Sequence, residues 1–326
     1  MRTDGPLLTV AIPTCNGARH LRDALASVLG QDVDFQLLVS DDRSEDDTLS
    51  IVRDIAGSRA RISRNAERLG LARNWNQCVA LADTPWVAVF HQDDLMLDDH
   101  LAQHLTAIQA HPHLGMVCSG ADVIDERGDK VRSAVGDPPV LRDCNELFEP
   151  GEFVIELADG NPVRCSAVTL NRAAHQALGG FDPALRYAVD WAFWLALAKR
   201  EAVAWCCHRT VAVRWHAASE THRFRDGTVD LDEQRAVTDE ALAWLARHEP
   251  QVLAALTLSR DRRLARAYLN RAYTAACDGN RPLEARCLRR ALSLSKTTTG
   301  SALIRDPRLV ARLLLGQRAS GLSQSP

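Results

Sequence analysis

Leu7-Leu8-Thr9-Val10-Ala11-Ile12-Pro13-Thr14-Cys15-Asn16 reads as a short β-strand that runs into a polar turn. Leu21, Leu25, Val28 and Leu29 then recur at i, i+4, i+7 and i+8, the stripe of a helix. The cycle repeats. Residues 35–40 form a second apolar run ending in Asp41-Asp42. Ser44-Glu45-Asp46-Asp47 resembles a capping box, with Asp in place of Glu or Gln, and predicts a helix through Ile51, Val52 and Ile55. Residues 61–64 are a weaker third strand, and Leu71, Trp75, Val79 and Ala82 mark the next helix. Residues 86–90 end in His91-Gln92-Asp93-Asp94; Asp98 caps a helix carrying Leu101, Leu105 and Ile108; residues 116–119 are a fifth strand. This order predicts an α/β fold with a doubly wound, mostly parallel sheet flanked by helices.

The remainder is less regular. Residues 126–160, rich in Asp, Glu, Gly and Pro, read as a long loop or short helices over the sheet edge. Residues 165–170 and 203–215 are strand-like. Between them Trp191, Trp194, Leu195 and Ala198 form a helical stripe that starts just after Asp190. Beyond about residue 226 the pattern is helical, and residues 265–277 and 282–294 around Gly279 predict a helical hairpin. The expected division is a domain of residues 1–225 and a helical C-terminal region, 226–326, with a frayed end over 317–326.

The chain has 326 residues, 46% of them apolar and 25% charged, enough for one large domain with an appendage or for two domains. No apolar run approaches the ~18 residues of a membrane span. An acid and a proline in Met1–Pro6 argue against a secretory signal. Nine cysteines, with no Cys-x-x-Cys pair, read as free thiols in a reducing, cytoplasmic compartment. The net charge of −3 hides an asymmetry. Residues 259–326 hold 13 Arg and one Lys against four acids, net +10, which leaves the body at −13. An acidic body suits a metal and a basic tail suits an anionic surface. Nucleic acid is not expected, because the tail offers only Tyr268 and Tyr273 for stacking.

In open α/β sheets, ligands sit at the carboxyl ends of the strands. Here those ends carry Pro13-Thr14-Cys15-Asn16, Asp41-Asp42 and Asp93-Asp94. Two acid pairs converging on one crevice repel each other. A divalent cation, Mn²⁺ or Mg²⁺, offsets that charge and points to a phosphorylated substrate. Neither a Gly-x-Gly-x-x-Gly turn nor a Gly-rich loop ending in Lys-Ser/Thr follows the first strand, which excludes dinucleotide dehydrogenases and P-loop ATPases. A hydrolase with an Asp nucleophile at the end of the first strand is disfavoured, since Thr14-Cys15 stands there.

Val10–Gly17, Val39-Ser40-Asp41-Asp42-Arg43-Ser44 with Asp47-Thr48, and Phe90–Asp94 together resemble the family 2 glycosyltransferases. Asn65 with Gly70-Leu71-Ala72-Arg73-Asn74, Gly179-Gly180-Phe181-Asp182 followed by Asp190, and Arg214-Trp215-His216 are similar to further motifs of that family in the same order. The resemblance covers roughly residues 7–222. It implies the inverting, nucleotide-diphospho-sugar-binding GT-A fold. It further implies that Thr14 and Asp41 contact the donor base with Asp42 supporting, alongside Pro13, Asn16 and Arg73 on the donor side. Asp93 would lie near the ribose and Asp94 on the metal. His216 would approach the diphosphate or the metal, and Asp190 would be the base that deprotonates the acceptor hydroxyl. Three positions depart from the pattern: His91 for the first acid of Asp-x-Asp, Val189 for the acid before the base, and Cys15 for an aromatic.

The function expected is metal-dependent transfer of a sugar from a nucleotide-diphospho-sugar donor to a glycan or lipid-linked hydroxyl acceptor in cell-surface polysaccharide or glycolipid assembly. The alternative is a non-catalytic sugar-nucleotide-binding or scaffold protein on the same fold. Asp190 also stands where a helix N-cap would, and Asp182, before Pro183, is its local competitor as base. His100 and His104 read as helix surface rather than a zinc pair, because no Glu follows His100. Trp191 and Trp194 read as core, with stacking of Trp191 on an acceptor sugar as the alternative.

Arg308 and Arg312, with Leu309, Val310, Leu313 and Leu314, make a short basic amphipathic segment that either docks on an anionic membrane face or packs on the catalytic domain. Co-sedimentation with anionic vesicles separates the two: docking requires binding at low salt that weakens as salt rises, and its absence rejects docking.

Overall fold

The structure, a computed structural model, describes residues 5–131, 141–216 and 223–305. The basic segment at 308–314 and the frayed end lie outside these residues. The chain divides into two units: Met1–Leu157 with Asn161–Ala217, and Ala158–Gly160 with Ala218–Pro326.

The first unit contains, in order, β1 (Leu8–Thr14), α1 (Leu21–Leu29), β2 (Gln36–Asp41), α2 (Thr48–Ala56), β3 (Ala60–Arg64), α3 (Leu71–Leu81), β4 (Trp86–Val89), β5 (Leu95–Met96), α4 (His100–Ala110) and β6 (Leu114–Ile124). They are followed by β7 (Glu146–Phe148), α5 (Phe153–Asp159), β8 (Val168–Asn171), α6 (Arg172–Ala177), α7 (Val189–Ala198) and β9 (Ala202–Arg214). The sheet order is β3-β2-β1-β4-β8-β6-β9-β5, with β7 also paired to β9. β1 to β4 are mutually parallel. β8 inserts antiparallel between β4 and β6, and β9 returns parallel to β6. All seven residues of β1 are buried, which is why its sequence is a nearly continuous apolar run rather than an alternation.

The sheet is covered on both faces. Leu8, Val10, Ile12, Leu37 and Val39 pack with Leu21, Leu25 and Val28 of α1 and Val52 of α2. α3 contacts β1, β2 and β4 and buries Cys78 and Val79 completely. This is the doubly wound α/β arrangement expected. In the second unit, α8 (Val229–His248), α9 (Pro250–Cys277), α10 (Arg281–Leu294) and α11 (Lys296–Arg305) follow one another. Its core joins Leu231, Ala265, Tyr268, Leu269, Ala272, Leu283, Cys287 and Ala291. α9 and α10 make the expected hairpin, with Gly279 at φ +72° in the turn. Arg271 forks onto both oxygens of Asp230, at 3.2 and 2.7 Å. All nine cysteines are free thiols. Among the described residues no helix is long and apolar enough to cross a membrane.

Several local expectations are corrected. Ser44 does not cap α2: its hydroxyl accepts the Asn16 N–H at 2.9 Å, and α2 starts at Thr48 after Asp47. α4 follows Asp99, not Asp98, without a side-chain cap. Residues 165–167 are a 3₁₀ turn ahead of β8. β5 and β7, of two and three residues, carry too few side chains to show a period. His100 and His104 are fully buried rather than on the surface. Each has a threonine on the sheet to bond: His100 Nδ1 lies 2.7 Å from Thr210 Oγ1 and His104 Nδ1 2.8 Å from Thr169 Oγ1. Their i, i+4 spacing brings the ring centroids to 4.1 Å, tilted by 50°.

Burial holds His100 down at about 3, and burial with the adjacent His100 holds His104 well below its ordinary value. Both stay neutral in the fold, whereas the unfolded chain protonates them near pH 6.5. Their contribution is therefore complete above pH 6.5 and lost as pH falls, by about 1.4 kcal/mol per pH unit for each imidazole. Urea midpoints between pH 7.5 and 5.5 should fall in the wild type and fall less in His104→Gln.

The loop before α3 supplies a second test. Both oxygens of Asp42 accept backbone N–H groups, from Leu69 at 2.7 Å and Gly70 at 2.8 Å, and Asn65 Nδ2 adds a bond at 3.0 Å. Asp42→Ala leaves these donors unpaired and should lower stability by about 2–4 kcal/mol, read from denaturant unfolding.

Candidate active site

The carboxyl ends of β1, β2 and β4 meet at one edge. Thr14 Oγ1 donates to Asp41 Oδ1 at 3.1 Å, and Ser44 N donates to Asp41 Oδ2 at 3.1 Å. Arg64 Nε lies 3.5 Å from the same carboxylate. Asp41 and Thr14 are fully buried. Pro13 is buried in β1 opposite Ser40. Asn16 is exposed, at φ +50°, a region that Asn tolerates better than most residues. Its side chain fixes the turn by accepting Glu45 N at 2.8 Å. Arg73 is exposed in the first turn of α3.

Gln92 locks the β4 end onto the β1 end. Its Oε1 accepts Cys15 N at 3.0 Å and its Nε2 donates to Cys15 O at 3.2 Å. Gly17 lies under this amide, where an added Cβ would come 2.1 Å from Oε1.

The residues after β4 form the acidic centre. Asp94 is buried: Oδ2 accepts Ser166 Oγ at 2.5 Å and Oδ1 accepts Arg214 N at 2.9 Å. Burial and the neighbouring Asp93 charge push its carboxyl up, against the bonds from Ser166 and Arg214. Asp93 is more open, and its Oδ2 lies 2.9 Å from His216 Nε2. Burial raises the Asp93 carboxyl, but the His216 bond and the charges of His91 and His216 outweigh it, for a net lowering. His91 Nδ1 is 3.7 Å from Asp94 Oδ2, and its ring stacks on Trp75 at 5.1 Å. Burial keeps His91 toward neutrality. Trp75 packs in turn on Phe181 of the Gly179–Asp182 motif, and Phe181 on Phe193 and Trp194 of α7.

α7 begins at Val189, so Asp190 lies in its first turn and is not the N-cap. Asp190 Oδ1 accepts Trp191 N at 2.7 Å and Oδ2 accepts Asn161 Nδ2 at 3.2 Å. Burial raises its carboxyl, opposed by the Trp191 bond and by the charges of His91 and Arg164. Asp182, its sequence competitor, is exposed and closes a turn onto Ala184 N at 2.8 Å. Trp191 is buried with its Nε1 on Leu157 O at 3.0 Å, a core position rather than a sugar platform. The structure thus gathers Asp93, Asp94 and His216 at one point, with Asp190 within electrostatic reach of His91. Ser166 and Asn161 escape sequence reading because their partners are 72 and 29 residues away and no spacing encodes them, and Arg164 because it lies between them in a stretch without period.

One ligand atom each from His91, Asp93 and Asp94 lies within 4.8 Å of the others. Two crowded carboxylates with an imidazole form a donor set that could hold a divalent cation.

Comparison with known proteins bears on the family and the fold. The family model for glycosyl transferase family 2 matches residues 9–168. MT1568 of Mycobacterium tuberculosis is 30% identical over 249 residues, 72% of this chain and 75% of that protein. The putative glycosyltransferase EpsE of Bacillus subtilis is 26% identical over 184 residues, 54% of this chain and 60% of that one. Among solved structures, residues 1–349 of S. aureus TarS, in complex with UDP-GlcNAc, superpose with TM-score 0.60 at 15% identity, covering 94% of this chain and 87% of that one. The mannosyltransferase PcManGT of Pyrobaculum calidifontis, with GDP-Man and Mn²⁺, gives TM-score 0.55 at 20% identity, covering 95% and 81%. Motifs, sheet order and sequence matches converge, and this chain is a glycosyltransferase belonging to family 2.

Proposed function

We propose that the chain transfers a sugar, with inversion, from a nucleotide-diphospho-sugar to a hydroxyl of a glycan or lipid-linked acceptor, as in cell-surface polysaccharide or glycolipid assembly. One observation carries this reading: Asp93, paired with His216, and a separate, partly buried carboxylate, Asp190, both act electrostatically on His91. The UDP-GlcNAc and GDP-Man bound in the two solved structures support the donor class.

Asp93 and Asp94, with His91, are the residues that would hold a divalent cation, and His216 bonds Asp93 beside them. A cation bound there supplies positive charge against the departing diphosphate. On the donor side, Thr14, Asp41 and Asp42 shape the floor of the base pocket with Pro13 buried in β1 behind them, while Asn16 and Arg73 stand exposed at its rim. Asp190 takes the proton of the acceptor hydroxyl on a carboxylate oxygen as that hydroxyl attacks the anomeric carbon and the bond to the diphosphate breaks. Asn161 Nδ2 and Trp191 N each donate to one of its carboxylate oxygens. Burial raises its proton affinity, which strengthens it as a base.

Two variants separate the roles. Asp190→Asn should lower transfer about 10²–10⁴-fold and leave nucleoside diphosphate binding intact, whereas Asp93→Ala should lose Mn²⁺-dependent binding, both read by calorimetry and product formation. Because the Asp190 carboxyl is raised, the wild-type rate should fall as pH drops through a value above the ordinary carboxylate range. Near-normal transfer by Asp190→Asn would remove the base assignment.

A further inference from the structure

The segment from Asn161 to Ser166 is a strap between the two halves of the reaction centre. At one end Asn161 Nδ2 donates to Asp190 Oδ2 at 3.2 Å. At the other Ser166 Oγ donates to Asp94 Oδ2 at 2.5 Å. Arg164 lies between these anchors, in extended backbone just before the 3₁₀ turn. Its guanidinium is uncommitted: Nε is buried with no hydrogen-bond partner, and no carboxylate engages it within 4.0 Å among the described residues. Its charge nevertheless reaches both Asp94 and Asp190.

The contrast with Arg214 is instructive. Arg214 is also at the centre, but its guanidinium is spent on the carbonyls of Asp93, Asp125 and Glu126 at 3.0–3.1 Å. The nearby carboxylates already hold their own donors, so none of them requires Arg164. A buried N–H without an acceptor is costly, and a guanidinium fork is shaped for two oxygens of one oxyanion.

We propose that Arg164 is a phosphate-binding residue, receiving a substrate phosphate between the base and the acidic pair. This rests on the transfer reading above. The phosphate comes either from the donor's diphosphate or from a phosphorylated acceptor, and both present the same oxyanion.

Calorimetry on the full chain with Mn²⁺ tests this. UDP and GDP report the diphosphate, UMP and GMP serve as controls lacking the second phosphate, and glycerol phosphate mimics an acceptor phosphate. Arg164→Ala should weaken one probe about 10–100-fold, in line with loss of a charge-assisted bond, and Arg164→Lys should recover part of it. Loss confined to the diphosphates places the site on the donor; loss confined to glycerol phosphate places it on the acceptor. Wild-type affinity of Arg164→Ala for every probe overturns the proposal. If Arg164→Ala does not fold, as judged by its ligand-free melt, Arg164→Lys decides, because it keeps the charge without the fork; unchanged affinity then overturns it. Diphosphate binding that is lost in Asp93→Ala but intact in Arg164→Ala, with glycerol phosphate binding also intact, refutes Arg164 alone. A wild type that takes none of these probes refutes both readings.

Discussion

Buried and partly buried carboxylates that accept backbone N–H groups hold the strand-end turns in shape. Asp41 takes Ser44 N, Asp42 takes Leu69 N and Gly70 N, Asp94 takes Arg214 N, and Asp190 takes Trp191 N. Each bond satisfies a backbone donor that a turn at the end of a strand or the start of a helix leaves open. Each also makes the acid part of the scaffold, with less freedom to serve a ligand. Asp93 differs: its side-chain partner is another site residue, His216, and that leaves it the most available of the acids after β4.

The sheet explains why these acids meet. Its first four strands are parallel, so their carboxyl ends share one edge, as ligand sites in such sheets do. β8 and β9, at Val168–Asn171 and Ala202–Arg214, extend the same sheet from far later in the chain. They deliver Ser166, just before β8, and Arg214, at the end of β9, to the acidic centre. Gln92 then fastens the β4 end to the β1 end through Cys15, with glycine at position 17 to let the amide pass.

The parallel half of the fold was legible because β1, β2 and β4 are buried on both faces and their apolar runs stop abruptly at polar residues. The α9–α10 hairpin was legible from its period and from Gly279. The acids of the centre were legible as strand-end pairs. The partners that decide their roles were not. Asn161, Arg164 and Ser166 lie in a stretch without period, and only the insertion of β8 between β4 and β6 brings it to the crevice. His100 and His104 misled for a related reason: polarity at i, i+4 reads as solvent-facing until Thr169 and Thr210 arrive on distant strands to bond them. Ser44 misled because a local capping pattern competes with a longer-range acceptor, and here Asn16 N won.

Arg214 deserves a last consideration as a shared carrier. Its N–H holds Asp94, its Nε holds the carbonyl of Asp93, and two residues later the chain presents His216 to the Asp93 carboxylate. The acidic pair and the imidazole therefore do not occupy independent positions; each inherits its placement from one residue. Thermodynamically this makes the centre a single cooperative element. Energetic effects of changes at positions 93, 94, 214 and 216 will not sum, and a double-mutant cycle between any two of them will carry a large interaction energy.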